Sequence, residues 1–293
     1  MEVFSEETCE LGEGPVWHAK RQSLFWVDIS NKCLYEKNFF SCNKYYDTKW
    51  DLPFLVSTFA ISKSNDGFLW VVTENSFGEF CLATGEYTPV ITLPIFEGYR
   101  PNDGGAAPDG SFWFGTMEKN PTGRKGKVFS ISPKGKLTKQ LDNIGIPNTF
   151  CWSADASTFY LSDSLRQQTF SYSVIKGELI ESSEKIHIDL IGGAATPDGG
   201  AIDAVGNMWN VQWGGARVSY YDSTGQFLKK IEVPVPQPTS CCMGGPQNLH
   251  LFVTSARAGL SEKTIEYYPS SGGVFFEELT MPGLAVKPFC IER

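Results

Sequence analysis

The chain has 293 residues, of which 41% are hydrophobic, 14% aromatic and 20% charged. That balance supports a large packed core and excludes wholesale disorder. The formal charge of −8 gives an acidic surface that repels phosphate backbones, which excludes nucleic acid as a partner. No apolar run reaches the ~18 residues a membrane helix needs, so no membrane partner is expected.

Residues 1–7 are acidic and lack the apolar stretch of a secretory leader, so the expected location is cytoplasmic. The eight cysteines contain no C-x-x-C pair and read as reduced thiols used as small apolar residues.

Taken in chain order, the predicted elements repeat. Short apolar runs with an aromatic anchor occur at 24–27, 68–71, 112–114, 158–161, 208–211 and 251–253. Their anchors are Trp26, Trp70, Trp113, Tyr160, Trp209 and Phe252, spaced 43 to 49 residues apart. Several follow turns such as Asn65-Asp66-Gly67 and Pro108-Asp109-Gly110, which supply the positive φ of a tight hairpin. A second turn, of the form polar-Gly-polar-apolar, keeps step with the anchors at 84–87, 134–137, 176–179, 224–227 and 271–274.

Each repeat therefore has room for about four short strands, the size of a propeller blade. The sequence predicts an all-β, six-bladed β-propeller filling residues 1–293 as a single domain, with no helix of any length. A large β-sandwich is the alternative, but it would not keep anchors and turns in step. Residues 1–10 and the segment 283–286 are expected to share a blade and close the ring.

Counting back eleven to thirteen residues from each anchor finds Glu13, Ser57, Asn102, Asn148, Asp198 and Ser240. Each is an oxygen-bearing side chain near the start of a blade's first strand. Seen alone, Asn102-Asp103-Gly104 and Pro197-Asp198-Gly199 are ordinary turns; the shared register makes them a site. Two carboxylates and two amides converging at a channel mouth call for a cation, and hard oxygen donors suit Ca²⁺, Mg²⁺ or Mn²⁺. None of the three histidines falls at this register, which argues against a histidine-rich zinc site or a Ser-His-Asp triad.

The same residues carry a resemblance. The segments Leu11-Gly12-Glu13-Gly14-Pro15, Arg100-Pro101-Asn102-Asp103-Gly104, Gly115-Thr116-Met117, Ile146-Pro147-Asn148, Asp163-Ser164, Pro197-Asp198-Gly199 and Thr239-Ser240-Cys241-Cys242 occur in that order. Together they resemble the senescence marker protein/gluconolactonase/luciferin-regenerating enzyme-like family. The resemblance spans essentially the full chain, apart from residues 35–58.

It implies one divalent metal (Ca, Mg, Mn, Zn or Fe) held by Glu13, Asn148 and Asp198, with Arg100 and Asn102 facing a small sugar lactone. It also implies metal-dependent hydrolysis of an aldonolactone. Some members of the family place Glu or Lys three residues after Gly-Thr-Met; here Asn120 stands there, a substrate-binding candidate of different chemistry. Asp198 is the candidate catalytic base. The alternatives are a calcium-binding regulatory or scaffold propeller without catalysis, and a paraoxonase-like hydrolase. The latter is disfavoured because only one polar ring is found where two metal sites would be needed.

Overall fold

The computed structural model describes residues 1–292. The strands, in chain order, are β1 (Glu2–Ser5), β2 (Gly12–His18), β3 (Ser23–Asp28), β4 (Cys33–Asn38), β5 (Thr48–Asp51), β6 (Thr58–Ile61), β7 (Phe68–Val72), β8 (Ser76–Cys81), β9 (Tyr87–Thr92), β10 (Tyr99–Ala106), β11 (Phe112–Glu118) and β12 (Gly126–Ile131). They continue with β13 (Leu137–Ile144), β14 (Pro147–Trp152), β15 (Thr158–Asp163), β16 (Gln168–Ile175), β17 (Glu178–Asp189), β18 (Thr196–Ile202), β19 (Met208–Trp213), β20 (Arg217–Tyr221), β21 (Phe227–Glu232), β22 (Pro238–Gly244), β23 (His250–Ser255) and β24 (Val274–Glu278). They form six four-stranded antiparallel sheets, the six blades of a β-propeller.

Five blades use four consecutive strands each. The sixth takes β22, β23 and β24 from one end of the chain and β1 from the other. Residues 2–5 therefore share a blade with the C-terminal strands, as expected. The segment at 283 adds no strand to that blade and lies between two: Gly283 bridges to Asp203 and Leu284 N–H donates to Ile202 O in the neighbouring blade, while Gly283 N–H donates to Asn248 O in the β22–β23 connection. One short helix, α1 (Glu262–Tyr267), interrupts the all-strand expectation. It sits in the long β23–β24 connection, N-capped by Ser261, whose hydroxyl accepts from the Thr264 N–H. The turn at 271–274 belongs to this same connection, whereas the other four polar-Gly turns join third to fourth strands.

Contacts group the blades into two units of three. In one (1–55 and 192–286), the first strand β22 lies against both β2 and β18. In the other (56–191 and 287–293), β10 lies against both β6 and β14. Second strands are covered on both faces. They therefore read as unbroken apolar runs, as in Ser23–Asp28, where all six residues are buried. Trp26, Trp70, Trp113 and Trp209 are among the largest fully buried side chains, and truncating one typically costs about 3–5 kcal/mol. The fourth strands are the opposite: β21 carries Lys229 and Lys230 and β9 carries Pro89, which discourage edge pairing.

Candidate active site

Five of the six first strands are bulged at the same place. Two residues face one across the hairpin: Gly14 and Pro15 opposite Trp26, Asn102 and Asp103 opposite Gly115, and Thr149 and Phe150 opposite Leu161. The others are Asp198 and Gly199 opposite Val211, and Thr239 and Ser240 opposite Thr254. Five of the six residues picked out by register sit at or beside these bulges. Glu13 and Asn148 come just before, Asn102 and Asp198 are first in theirs, and Ser240 is second. β6 has no bulge, and Ser57 precedes it. A bulge breaks the ladder and re-aims a side chain. Glu13, Asn102, Asn148, Asp198, Ser57 and Ser240 are all buried despite their polarity.

In the 56–191 unit, the bulges are joined by a chain of hydrogen bonds. Arg100 Nη1 donates to Pro101 O (2.9 Å) and Asn102 Oδ1 (2.7 Å). Asn102 Nδ2 donates to Asn148 Oδ1 (2.9 Å) and Pro147 O (3.0 Å), and Asn148 Nδ2 donates to Ser164 Oγ (2.8 Å). Both amide groups are thus fixed in orientation, and Asn148 Oδ1 keeps a second lone pair. Ser57 Oγ is buried and has no hydrogen-bond partner among the described residues. Gly115 makes close approach between blades possible here: a Cβ on it would lie 2.3 Å from Pro147 Cγ.

Two aspartates assigned no role from the sequence hold the strand entries, Asp28 and, within one of the family-like motifs, Asp163. Asp28 accepts from the Glu10 and Leu11 N–H groups, and Asp163 accepts from those of Gly145 and Ile146. Each stands 15 residues after a candidate ligand, Glu13 or Asn148, and each clamps the backbone two and three residues ahead of that ligand. The next residue after the ligand is left-handed in both cases, Gly14 at φ 53 and Thr149 at φ 56. For a β-branched threonine this conformation is strained by about 1–3 kcal/mol. Ser162 Oγ bonds the Thr149 hydroxyl at 2.8 Å and helps hold it there. The paired spacing of 15 was visible in the sequence and was the signal available.

In the 1–55 and 192–286 unit, Glu13 Oε2 accepts from Gly14 N–H (3.1 Å), and the Thr239 hydroxyl donates to Gly12 O across neighbouring first strands. Gly199 follows Asp198 where β22 comes close: a Cβ there would meet Ser240 Oγ at 2.1 Å.

Asp103 is half-buried. Burial pushes its carboxyl up to about 6, against the backbone N–H groups of Gly104, Thr149 and Phe150, which favour the charged form. Asn120 lies exposed in the β11–β12 connection. Trp17 and Trp152, which neighbour the bulged segments, are core residues; Trp17 stacks on Phe252 with centroids 5.6 Å apart.

Among the described residues, no three His, Cys, Asp or Glu side chains cluster closely enough to hold a metal. Any cation site here needs an amide oxygen as well, a hard-donor set suited to alkaline-earth and Mn²⁺ ions.

Comparison with known proteins agrees with these motifs. The family profile described as SMP-30/Gluconolactonase/LRE-like region matches residues 11–257. Regucalcin of Bos taurus is 31% identical over 98% of this chain and 95% of its own. The L-arabinolactonase of Azospirillum brasilense is 30% identical over 98% and 94%. The crystal structure of a calcium-binding protein, regucalcin, from Agrobacterium tumefaciens matches with a TM-score of 0.91 at 30% identity, covering 99% of this chain and 97% of that one.

Proposed function

The chain belongs to the SMP-30/gluconolactonase/LRE-like family, and we propose that it is a metal-dependent hydrolase of a sugar-acid lactone. The observation that carries this reading is the run of buried polar side chains at matching bulges, tied by the hydrogen-bond chain from Arg100 through Asn102 to Asn148. The curated relative named L-arabinolactonase, similar along nearly the whole chain, supports the reaction class.

In this reading the chain is one propeller domain, and Glu13, Asn148 and Asp198 hold one divalent cation. The donors fit such an ion: two carboxylates and an amide oxygen with a spare lone pair, all buried. Bound there, the cation supplies Lewis acidity to the lactone carbonyl. Asp198 takes a proton from the attacking water onto its carboxylate. The water oxygen bonds to the carbonyl carbon, the ring C–O bond breaks, and the departing oxygen recovers the proton. The product is the open aldonic acid. A lactone is an activated ester, so an ordinary carboxylate is a sufficient base.

Arg100, pinned through Nη1, presents its fork to the sugar hydroxyls beside Asn102. In this reading Asn120, exposed in the β11–β12 connection, adds a neutral donor and acceptor for the substrate. All eight cysteines are free, in keeping with a reducing, cytoplasmic setting.

The test is proton release from a panel of aldonolactones. The protein is stripped with chelator and restored with Ca²⁺, Mg²⁺, Mn²⁺, Zn²⁺ or Fe²⁺ in turn. Cation-dependent acid release above the spontaneous rate is expected. Tight Ca²⁺ binding with no acceleration on any lactone would favour the second reading, a calcium-binding propeller without catalysis. That reading draws on the calcium-binding relative named regucalcin.

A further inference from the structure

The connection between β11 and β12 stands next to the strand end that carries Arg100. Tyr99 pairs with Glu118 and Arg100 with Met117, and Lys119 N–H donates to Gly98 O at 2.8 Å. Glu118 gives the loop a fixed shape. Its carboxylate binds Lys125 Nζ at 2.8 Å, the Thr122 N–H at 3.1 Å and the Thr122 hydroxyl at 3.2 Å. Lys125 is neutralised by that contact. The side chains of Lys119 and Arg124 are exposed and make no hydrogen bond or ion pair among the described residues. Residues 97–100 and 118–125 carry four cations, Arg100, Lys119, Arg124 and Lys125, against the carboxylates of Glu97 and Glu118. A local surplus of two positive charges on a chain of net charge −8 is a focusing field for anions.

We infer that the lactone taken by this site carries an anionic oxygen group, a carboxylate or a phosphate ester, remote from its ring carbonyl, and that Lys119 and Arg124 receive it. This rests on the lactonase reading. A neutral lactone has no use for two unpaired cations, and the carboxylate released by hydrolysis does not supply one. It forms at the carbonyl carbon, which in that reading is beside Asn148. The basic loop lies at the other end of the chain Asn148–Asn102–Arg100. The shaping contacts made by Glu118 spare Lys119 and Arg124, so the loop presents them without ordering them against a partner of their own.

The experiment compares kcat/KM of the metal-restored full chain on three substrates: gluconolactone, its terminal phosphate ester, and glucarolactone, which keeps a free carboxylate. Each is measured at low and high salt, with the wild type and with a Lys119→Ala/Arg124→Ala double variant. The expected result is a preference of about tenfold or more for one or both anionic lactones. Salt shrinks that preference and the double variant abolishes it. Which anionic lactone is favoured identifies the group. Equal turnover of neutral and anionic lactones overturns the inference and leaves the lactonase reading standing. A preference that survives the double variant also overturns it. No turnover of any lactone by the folded, metal-restored protein overturns both.

Discussion

Asn102 Nδ2 lies 2.9 Å from Asn148 Oδ1, so one buried amide fixes the carbonyl of another on the neighbouring blade. In the proposed site this aims the Asn148 oxygen. Asn102→Ala removes that donor together with the group that receives Arg100 Nη1. Lost buried hydrogen bonds of this kind cost about 1–3 kcal/mol. The expected outcome is a fall of roughly ten- to a hundredfold in kcat/KM, with weaker cation binding and a cooperative thermal transition retained. Unchanged kinetics would show that the bond does not serve the site.

Asp198→Asn removes the base and one charged ligand together. At saturating cation, kcat should fall by about 10²–10⁴. Circular dichroism and the melting temperature show whether the fold is kept. Wild-type turnover at saturating cation would remove Asp198 from the role of base.

Glu13→Gln keeps the shape and the Gly14 N–H contact but removes a charge. Cation affinity measured by calorimetry should drop about tenfold or more, with turnover partly restored at high cation. Unaltered affinity would take Glu13 out of the ligand set.

Gly199→Ala places a methyl group 2.1 Å from Ser240 Oγ and 2.6 Å from Ser240 Cα. Backbone atoms must move, at a cost of about 1–3 kcal/mol. Because Gly199 adjoins Asp198 in one bulge, the same shift should lower kcat. Denaturant melts and steady-state kinetics check both effects. A variant equal to wild type in both would mean the two first strands separate freely here.

Asp103 gives a pH dependence with a definite sign. Its folded value is about 6, above the ordinary carboxylate value of about 3.9 in an unfolded chain. Between those two values the folded chain holds a proton that the unfolded chain has released. Stability therefore declines as pH rises through this window and levels off above it. Asp103→Asn keeps an acceptor for the Gly104, Thr149 and Phe150 N–H groups and removes the buried charge. In chelator, the melting temperature of the variant minus that of the wild type should increase from pH ~4 to pH ~6 and stay constant above. A flat difference would mean that the carboxyl titrates normally.

The blade plan was legible in the sequence because its causes are local. Second strands buried on both faces demand unbroken apolar runs, and Trp26, Trp70, Trp113 and Trp209 supply them at regular intervals. Tight hairpins favour residues of positive φ: Gly110 supplies one at the expected turn, whereas the turn at 65–67 is made without one. The site was legible only as a register. Counting from anchors found the bulged positions within one or two residues, but bulges insert residues, so Glu13 and Asn102 fall at different steps of the same irregularity. The clamps made by Asp28 and Asp163 went unread because each acts on backbone far from it in sequence. The fate of Gly283 was hidden for a different reason: a single bridge to Asp203 leaves no pattern in composition or period.

The central claim is that one cation, held by Glu13, Asn148 and Asp198, is required for lactone hydrolysis. The most direct measurement is turnover of a responsive lactone by chelator-stripped protein as the activating cation is titrated in. The account predicts negligible turnover without cation, a linear rise and a plateau at a single equivalent per chain, with the plateau lost in Asp198→Asn. Full turnover by the stripped protein, or a rise that the Asp198→Asn variant shares, would contradict it.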